Sequence, residues 1–512
     1  MKPSASIVVL DFGGQYTQLI ARRIRDARVF SVVLPPSAPP EEIARWNPAG
    51  VILSGGPQSV YEAGAPVPAP GLLEHGVPVL GLCYGMQWMA QTAGGEVQGG
   101  HGREYGRASA RVAGDSELFH GLEEAQTVWM SHGDSVTRAP QGARVIASTP
   151  ETPIAGFESP SRKLYGLQFH PEVRHTEHGT AILQNFLFRV CGVQPDWSMA
   201  SFRQEKVDEI RRQAPDGAVI CALSGGVDSS VTALLLREAL GDRVHPILVD
   251  HGLMRAHEAA QVVEAFGRLG IAVHAVDAAD LFLGRLAGVT DPEDKRKVIG
   301  RTFIEVFERE AKCIPDARYL AQGTLYPDVI ESISIKGPSA VIKTHHNVGG
   351  LPEKLGLKLI EPVRELFKDE VRLLGAEMGL PREFLARHPF PGPGLAVRIP
   401  GEVSAEKVAI LQQADEIVLD EIRRAGLYDG ISQAFAVLLP VRSVGVMGDN
   451  RTHDFVLAVR AVQTSDFMTA DWFRMPHDVL DAIASRVVRQ VRGVNRVVYD
   501  VTSKPPATIE WE

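Results

Sequence analysis

Short apolar runs alternate with amphipathic stretches along the first third of the chain. The runs Ile7–Leu10, Gly50–Leu53 and Val77–Leu80 each give way to polar residues or glycine and predict buried strands, and Leu19–Ile24 predicts a helix between the first two. Such an alternation indicates a mostly parallel sheet with helices on its faces. From residue 100 to 167 the hydrophobic period changes to two, which predicts a strand-rich extension.

The same alternation of strands and helices returns after residue 197. The pattern predicts a helix over Met199–Gln213, further helices, and strands at Ala218–Leu223, Val244–Val249, Ile271–Val276 and Tyr319–Ala321. Repeated βαβ units indicate a second doubly wound sheet.

A run rich in proline and glycine, Pro389–Gly394, ends the second pattern. A long helix, two strands, a further helix and a last strand follow, which predicts a small α+β domain. The predicted fold class is therefore α/β, with two doubly wound, mostly parallel-sheet domains and a small C-terminal α+β domain. The predicted domain boundaries are 6–196, 197–388 and 389–512.

Composition and charge narrow the possible functions. The chain has 512 residues, 45% hydrophobic and 22% charged, which excludes a disordered or coiled-coil protein. Its net charge of −9 argues against a nucleic-acid binder, so any phosphate site must be local. No apolar run approaches 18 residues, so we expect no membrane span, and Ile7–Leu10 is too short for a signal-peptide core.

The cysteines are too few and too widely spaced for a disulfide framework: Cys83, Cys191, Cys221 and Cys313. The sequence contains no C-x-x-C pair, which disfavours a zinc site and indicates a reducing compartment. We therefore expect a cytoplasmic protein.

One cysteine lies in a Gly-x-Cys-x-Gly pattern between a predicted strand and a predicted helix. Cys83 in Gly-Leu-Cys-Tyr-Gly would occupy a sharp turn at a helix N-terminus, where the helix dipole favours the reactive thiolate. The N–H of Tyr84 would face a developing oxyanion, and the turn Ser54-Gly55-Gly56-Pro57 could supply a second donor, which we assign to Gly56.

A candidate base lies in Phe169-His170-Pro171-Glu172. On an extended chain His170 and Glu172 face the same side, so His170 could take the thiol proton while Glu172 orients the imidazole. A lone cysteine is more often a buried apolar residue, and a lone His-Pro-Glu is more often a surface turn. Their joint occurrence favours catalysis.

These motifs resemble the class I glutamine amidotransferase family over about residues 6–190. The resemblance implies that Cys83 attacks the side-chain amide of glutamine, that His170 is the base and that Glu172 orients it. Ammonia and glutamate would be the products.

A second glycine-rich turn joins a strand to a helix near residue 225. It lacks the Gly-Lys-Ser of a Walker loop, and an anion would meet backbone N–H groups at a helix N-terminus. We predict a phosphate-binding loop made of Ser224, Gly225, Gly226, Val227, Asp228, Ser229 and Ser230. Asp228 would repel phosphate unless a cation lies between them, so we predict Mg²⁺ at Asp228. Asp250, at the end of the next strand, could serve ATP or be an ordinary loop acid.

The loop resembles the Ser-Gly-Gly-x-Asp-Ser signature of the ATP pyrophosphatases, which transfer AMP to an oxygen and release pyrophosphate. This resemblance implies that residues 224–230 bind ATP. Further stretches, 322–332, 343–352, 388–396, 441–446 and 502–512, closely resemble the GMP synthase family over essentially the whole chain. That resemblance implies the substrates glutamine, ATP and xanthosine monophosphate (XMP), with ATP as co-substrate, an adenyl-XMP intermediate, and the products GMP, AMP, pyrophosphate and glutamate.

The same resemblance implies further sites. It places the XMP contacts at Arg301, Gln433, Lys504 and Glu510. The loop 336–352 is rich in glycine, lysine and histidine, which predicts a mobile lid over ATP. The resemblance also implies a homodimer formed through the C-terminal domain, where the apolar strand 434–439 could be an interface or a core strand. Two alternatives stay open, namely an ATP-dependent amidotransferase with another acceptor, such as deamido-NAD or an aspartyl carboxylate, and a non-catalytic protein on the same scaffold.

Overall fold

The structure is a computed structural model that describes residues 6–74, 76–326, 328, 356–447, 449–464, 467 and 469–512. The predicted lid at 336–352 lies outside the described residues. One compact unit contains residues 6–205, and a second contains residues 206–326 and 356–512. Among the described helices, none combines the length and apolar character needed to cross a membrane.

The first unit is built on a mixed sheet. Its strands are β1 (Ser6–Leu10), β2 (Phe30–Leu34), β3 (Pro48–Leu53), β4 (Val79–Leu82), β5 (Glu96–Val112), β6 (Ala125–Arg138), β7 (Arg144–Ser148), β8 (Gly156–Ser159) and β9 (Leu164–Leu167). The order is β2-β1-β3-β4-β9-β8-β7-β5-β6, in which the first five strands are parallel and the others antiparallel.

The helices of this unit follow the strands in the βαβ manner. They are α1 (Thr17–Asp26), α2 (Pro40–Arg45), α3 (Tyr84–Thr92) and α4 (Gly179–Gln184), and α5 (Met199–Gln213) continues into the second unit. The sequence pattern missed β2 and began β4 two residues early. Pro78 has no N–H to donate, so regular pairing starts at Val79, while the Pro78 carbonyl still accepts from Val51 N–H at 2.9 Å.

The second unit contains a parallel sheet of order β12-β11-β10-β13-β14. These strands are β10 (Ala218–Leu223), β11 (Val244–Asp250), β12 (His274–Asp277), β13 (Ala317–Ala321) and β14 (Lys358–Ile360). The associated helices are α6 (Val227–Leu240), α7 (Glu258–Arg268), α8 (Ala279–Leu286), α9 (Pro292–Lys312), α10 (Lys368–Glu377) and α11 (Arg382–Leu385).

A smaller sheet follows in the same unit. It comprises β15 (Gln433–Met447), β16 (Asn450–Gln463), β17 (Asp471–Trp472) and β18 (Val494–Tyr499), with helices α12 (Ala405–Arg424) and α13 (His477–Gln490). β16 pairs antiparallel with β15 and β17 and parallel with β18. These elements confirm the predicted fold class.

One of the buried apolar clusters of the second unit contains residues of both of its sheets. It includes Ile220 of β10, Leu411 of α12 and Leu457 of β16, each fully buried. The regions predicted as 197–388 and 389–512 therefore share part of their core. Residues 434–438 of β15 are also buried within the chain, which favours the core interpretation of this strand over an interface.

Candidate functional site

Cys83 lies on a sharp turn between β4 and α3. It is the residue before the helix, and its φ of 49° and ψ of −107° are rare for a residue with a side chain. A Cβ on Gly85 would lie 2.5 Å from the Leu53 carbonyl oxygen, and one on Gly81 would lie 2.6 Å from the backbone of Gly85. The turn therefore needs both glycines, because only they let the strand and helix approach closely enough to present the thiol.

His170 and Glu172 form a buried pair beside this cysteine. The His170 Nδ1 lies 2.7 Å from Glu172 Oε1, and both side chains are at most 5% exposed. Burial alone would lower the pKa of His170, but the Glu172 carboxylate and a hydrogen bond with Cys83 outweigh it and raise this pKa well above its usual range. The His170 imidazole is therefore readily protonated, and a protonated imidazole is the partner that a thiolate needs.

The backbone around His170 is fixed by further hydrogen bonds. The His170 N–H donates to the Trp129 carbonyl at 3.0 Å, and the Thr176 hydroxyl donates to the His170 carbonyl at 2.6 Å. Arg23 Nε donates to the Glu172 carbonyl at 3.1 Å. These bonds place the imidazole against the turn at Gly55, where a Cβ would lie 3.1 Å from His170 Cε1 and 3.7 Å from Cys83 Cβ.

The two predicted oxyanion donors lie on adjacent segments. Tyr84 is the first residue of α3, so its N–H has no acceptor within the helix. The Gly85 N–H donates to the Ser54 carbonyl at 3.1 Å, which holds the Ser54–Pro57 turn against the helix start. A Cβ on Gly56 would lie 3.2 Å from Tyr84 Cγ, so Gly56 is close to Tyr84.

The structure adds residues that the sequence motifs did not indicate. The Cys83 thiol donates to the Ser131 carbonyl at 3.6 Å, and Gln168 Nε2 lies 3.7 Å from Cys83 Sγ. Gln87 Nε2 donates to the Asp134 carbonyl at 2.8 Å. Gln168 could have been inferred from its place beside the Phe-His-Pro-Glu motif, whereas the segment 131–134 carries no sequence signal of this kind.

The glycine-rich turn of the second unit connects β10 to α6. Gly225 has a φ of +75°, and Gly226 is the residue before the helix. The Ser229 hydroxyl accepts from the Ser224 N–H at 3.2 Å, and the Ser230 hydroxyl donates to the Gly226 carbonyl at 2.8 Å. The serine side chains thus fold the turn, which leaves the first N–H groups of α6 without intrahelical acceptors.

The two carboxylate oxygens of Asp228 have different surroundings. Its Oδ2 forms an ion pair with Lys368 Nζ of α10 at 2.5 Å, whereas its Oδ1 is buried and has no partner among the described residues. No group of three or more His, Cys, Asp or Glu side chains in the described part of the chain could hold a metal by itself. A single free carboxylate oxygen does fit Mg²⁺ bound mainly through substrate phosphates and water.

Two further residues shape this turn. A Cβ on Gly323 would lie 2.9 Å from the Asp228 carbonyl carbon and 3.0 Å from the Ser229 nitrogen. Arg387 Nη1 donates to the Gly225 carbonyl at 3.0 Å and pairs with Glu258. Neither position was predicted from sequence.

Asp250 has a structural partner in this unit. Its Oδ1 accepts the Gly252 N–H at 2.9 Å, which closes a tight turn after β11. That contact favours the interpretation of Asp250 as a loop acid.

Of the four residues predicted to contact XMP, two lie together. Gln433 Nε2 donates to Glu510 Oε1 at 2.7 Å, and Arg398 holds both oxygens of Glu510 at 2.9 and 3.1 Å. Lys504 instead donates to the Phe467 carbonyl at 2.8 Å. Arg301 is an exposed residue of α9 and lines a surface hollow with other residues of 288–301.

Arg398 was not predicted and is fully buried. Its guanidinium lies over the rings of Phe435 and Phe390, at 4.1 and 5.0 Å from their centroids. Its Nη1 is buried without a hydrogen-bond partner among the described residues, so one donor remains available beside Glu510.

Comparison with known proteins shows which family the chain belongs to. The sequence pattern of the class I glutamine amidotransferases matches residues 8–190, that of NAD synthase residues 200–295, and that of the GMP synthase C-terminal domain residues 420–511. A glutamine-hydrolysing GMP synthase of Phenylobacterium zucineum is 58% identical over 511 residues, and one of Brucella suis is 57% identical over 512. Each alignment covers 99% of this chain and 98% of the relative. The chain belongs to the GMP synthase family.

The sites described above lie in different family matches of this member of the GMP synthase family. The cysteine turn lies within the amidotransferase match, and the glycine-rich turn at 224–230 lies within the NAD synthase match. Gln433 and Glu510 lie within the match to the GMP synthase C-terminal domain.

Proposed function

We propose that the protein converts XMP to GMP, using ATP to activate the base and glutamine as the source of nitrogen. The observation that carries this proposal is a Cys83–His170–Glu172 arrangement and a pyrophosphatase-type turn in one chain of the GMP synthase family. The overall reaction is ATP, XMP, glutamine and water giving AMP, pyrophosphate, GMP and glutamate.

The glutaminase step begins with the thiolate of Cys83 attacking the amide carbon of glutamine. The N–H groups of Gly56 and Tyr84 stabilise the oxyanion, and His170 gives its proton to the departing ammonia. Water then attacks the glutamyl thioester, with His170 as base, and glutamate leaves. Glu172 keeps the Nδ1 proton of His170 in place through both half-reactions.

The substrate ammonium group would meet the carboxylate of Asp134. This carboxylate accepts from the Tyr61 hydroxyl at 3.1 Å. The backbone carbonyl of Asp134 accepts from Gln87 Nε2, which also contacts Gln168, the neighbour of Cys83. The segment 131–134 also carries the Ser131 carbonyl that contacts the Cys83 thiol, so an anionic group on it suits an amino acid whose side-chain amide is the reacting end.

In the second unit, the turn at 224–230 would hold the β- and γ-phosphates of ATP. Asp228 Oδ1 would hold Mg²⁺, which neutralises phosphate charge when bound, and Lys368 would exchange Asp228 for a phosphate oxygen. The C2 oxygen of XMP attacks the α-phosphorus and pyrophosphate leaves. Ammonia then displaces AMP from C2, which gives GMP.

XMP would lie beside Gln433 and Glu510, with the free Nη1 of Arg398 as an extra donor. Arg301 would approach it from its exposed position on α9, and Lys504 would leave the Phe467 carbonyl to do so. We further propose a cytoplasmic homodimer formed through the C-terminal sheet. The exposed valines 441, 444 and 446 of β15, between 48% and 76% exposed, are a better candidate surface than the buried strand 434–438.

The test combines an acceptor screen with one variant. Purified protein with ATP, Mg²⁺, glutamine and XMP should show the loss of XMP absorbance as GMP forms. Cys83→Ala should abolish this activity but keep GMP formation from added ammonium, whereas Cys313→Ala, at an exposed cysteine, should change neither. Turnover with deamido-NAD but not with XMP would overturn the proposed acceptor. Loss of both activities in Cys83→Ala would overturn the assignment of two separate sites.

A further inference from the structure

The strand pairing between β5 and β6 is interrupted beside the active-site cysteine. Gly99 lies opposite Asp134, and the next paired residue, Glu104, lies opposite His132, so residues 100–103 of β5 face Gly133 alone. The segment 131–134 at this interruption carries the Ser131 carbonyl that contacts the Cys83 thiol. The ladder is therefore broken at Gly133, and side chains add to what fixes the shape of the segment there.

The His132 ring supplies one such bond. Its Nδ1 lies 2.9 Å from the Asp134 carbonyl oxygen. A carbonyl oxygen can only accept, so Nδ1 carries the hydrogen. Gln87 donates to the same oxygen from α3, the helix that Cys83 precedes. The segment 131–134 is thus held by its own histidine and by the helix that follows the nucleophile.

The carboxylate of Glu104 closes the other side of the ring. The His132 side chain is 1% exposed, and its Nε2 lies 3.7 Å from Glu104 Oε2 with no hydrogen-bond partner among the described residues. Glu104 already accepts from the hydroxyls of Thr149, at 2.9 Å, and Thr152, at 2.6 Å. The carboxylate therefore packs against the ring edge and restricts its rotation, which leaves Nδ1 directed at Asp134.

We propose that His132 is a positioning residue for the glutaminase. Its Nδ1–H fixes the carbonyl of Ser131 and the carboxylate of Asp134 relative to Cys83, so that glutamine binds with its amide at the thiol. This inference rests on the proposed glutaminase function. His132 acts through the backbone of its own segment, and the reacting atoms remain those of Cys83 and His170.

Two substitutions separate this role from simple packing. In His132→Asn the amide nitrogen can replace Nδ1–H, whereas in His132→Leu a side chain of similar bulk has no donor. We expect KM for glutamine to rise about tenfold or more in His132→Leu, with a smaller change in kcat, and to stay within about threefold of the parent protein in His132→Asn. A factor of ten is about the 1.4 kcal/mol that a lost buried hydrogen bond costs.

Two controls show whether the rest of the protein is intact. Alkylation of Cys83 by iodoacetamide reports the thiol without requiring glutamine, and it should keep its rate within about twofold in both variants. GMP formation from ammonium should also be unchanged. The proposal is overturned if His132→Leu keeps the parent KM, if His132→Asn is impaired as much as His132→Leu, or if alkylation falls in parallel with glutamine use. Absence of glutaminase activity in the parent protein would instead refute the proposed function.

Discussion

The hydrogen bond between His170 and Glu172 offers a direct test of the proposed glutaminase. Glu172→Gln keeps the size of the side chain and removes its charge. Glu172 Oε2 is buried and has no hydrogen-bond partner among the described residues, so the new amide NH₂ can take that place while Oε1 still accepts from Nδ1. The substitution therefore keeps the hydrogen bond to His170, removes the charge and buries an NH₂ group at a position with no hydrogen-bond partner among the described residues.

The size of the effect follows from the burial of the pair. Both side chains are at most 5% exposed, so solvent screens the interaction little. A hydrogen bond to a charged group contributes about 1.5–3 kcal/mol, which corresponds to about a 10- to 150-fold loss in kcat/KM for glutamine. The Glu172 carboxylate also raises the pKa of His170. Without it the imidazolium loses its proton at lower pH, so the alkaline limb of the pH profile should move to lower pH.

The assay is glutamate release as a function of pH, with ammonium-dependent GMP formation measured in parallel. Glu177→Gln is the matched control, because Glu177 is an exposed residue of the same segment. We expect Glu177→Gln to behave as the parent protein. An unchanged alkaline limb in Glu172→Gln, or a loss of less than about threefold, would refute the role of Glu172 as the charge that supports His170.

Three further predictions concern the second unit. Lys368→Met should lower kcat/KM for ATP by about tenfold or more without changing glutaminase activity, because the variant loses a charged partner for phosphate. The control Lys358→Met, at an exposed lysine, should leave kcat/KM for ATP unchanged. Equal effects of the two substitutions would contradict the role of Lys368. Gly323→Ala should lower ammonium-dependent GMP formation, because its Cβ would meet the backbone of the ATP turn; parent-like kinetics would show that the turn can yield. Burial lowers the pKa of His251 and of His388 to about 4, so the unfolded chain takes up protons from about pH 6.5 downward that the folded unit binds only near pH 4. The free energy of unfolding in urea should therefore be highest above pH 6.5 and fall by up to about 3 kcal/mol per histidine as the pH approaches 4. A urea midpoint that does not change between pH 7 and 5 would contradict this prediction.

The sequence predicts regular elements well where periodicity is strong. The bounds of α5 and β10 agree with the prediction to the residue, since their apolar patterns are long or uniform. The start of β4 was displaced because Pro78 looks apolar but cannot donate to the ladder. The core shared by the second unit could not be foreseen, because contacts such as that between Ile220 and the later helices join residues far apart in the chain.

Some residues of the candidate sites could also be predicted from the sequence, and others could not. Cys83 and the turn at 224–230 could be predicted because a strained strand-to-helix turn requires glycines at fixed spacing. Lys368 and Arg398 could not be, because isolated basic residues have no local pattern and acquire a role only through Asp228 and Glu510, which lie more than a hundred positions away.

Two buried arginines of the second unit determine when this unit can finish folding during translation. Arg398 pairs with Glu510, and Arg460 donates to the carbonyls of Ile509 and Thr508, so both depend on a segment translated after them. Until that segment leaves the ribosome, two guanidinium groups remain without their acceptors and the C-terminal sheet cannot close on them. The strands β1–β9 and the helices α1–α4 of the first unit are all translated before these arginines. Translation should therefore complete β1–β9 and α1–α4, which carry the proposed glutaminase residues, before the C-terminal sheet of the second unit can close.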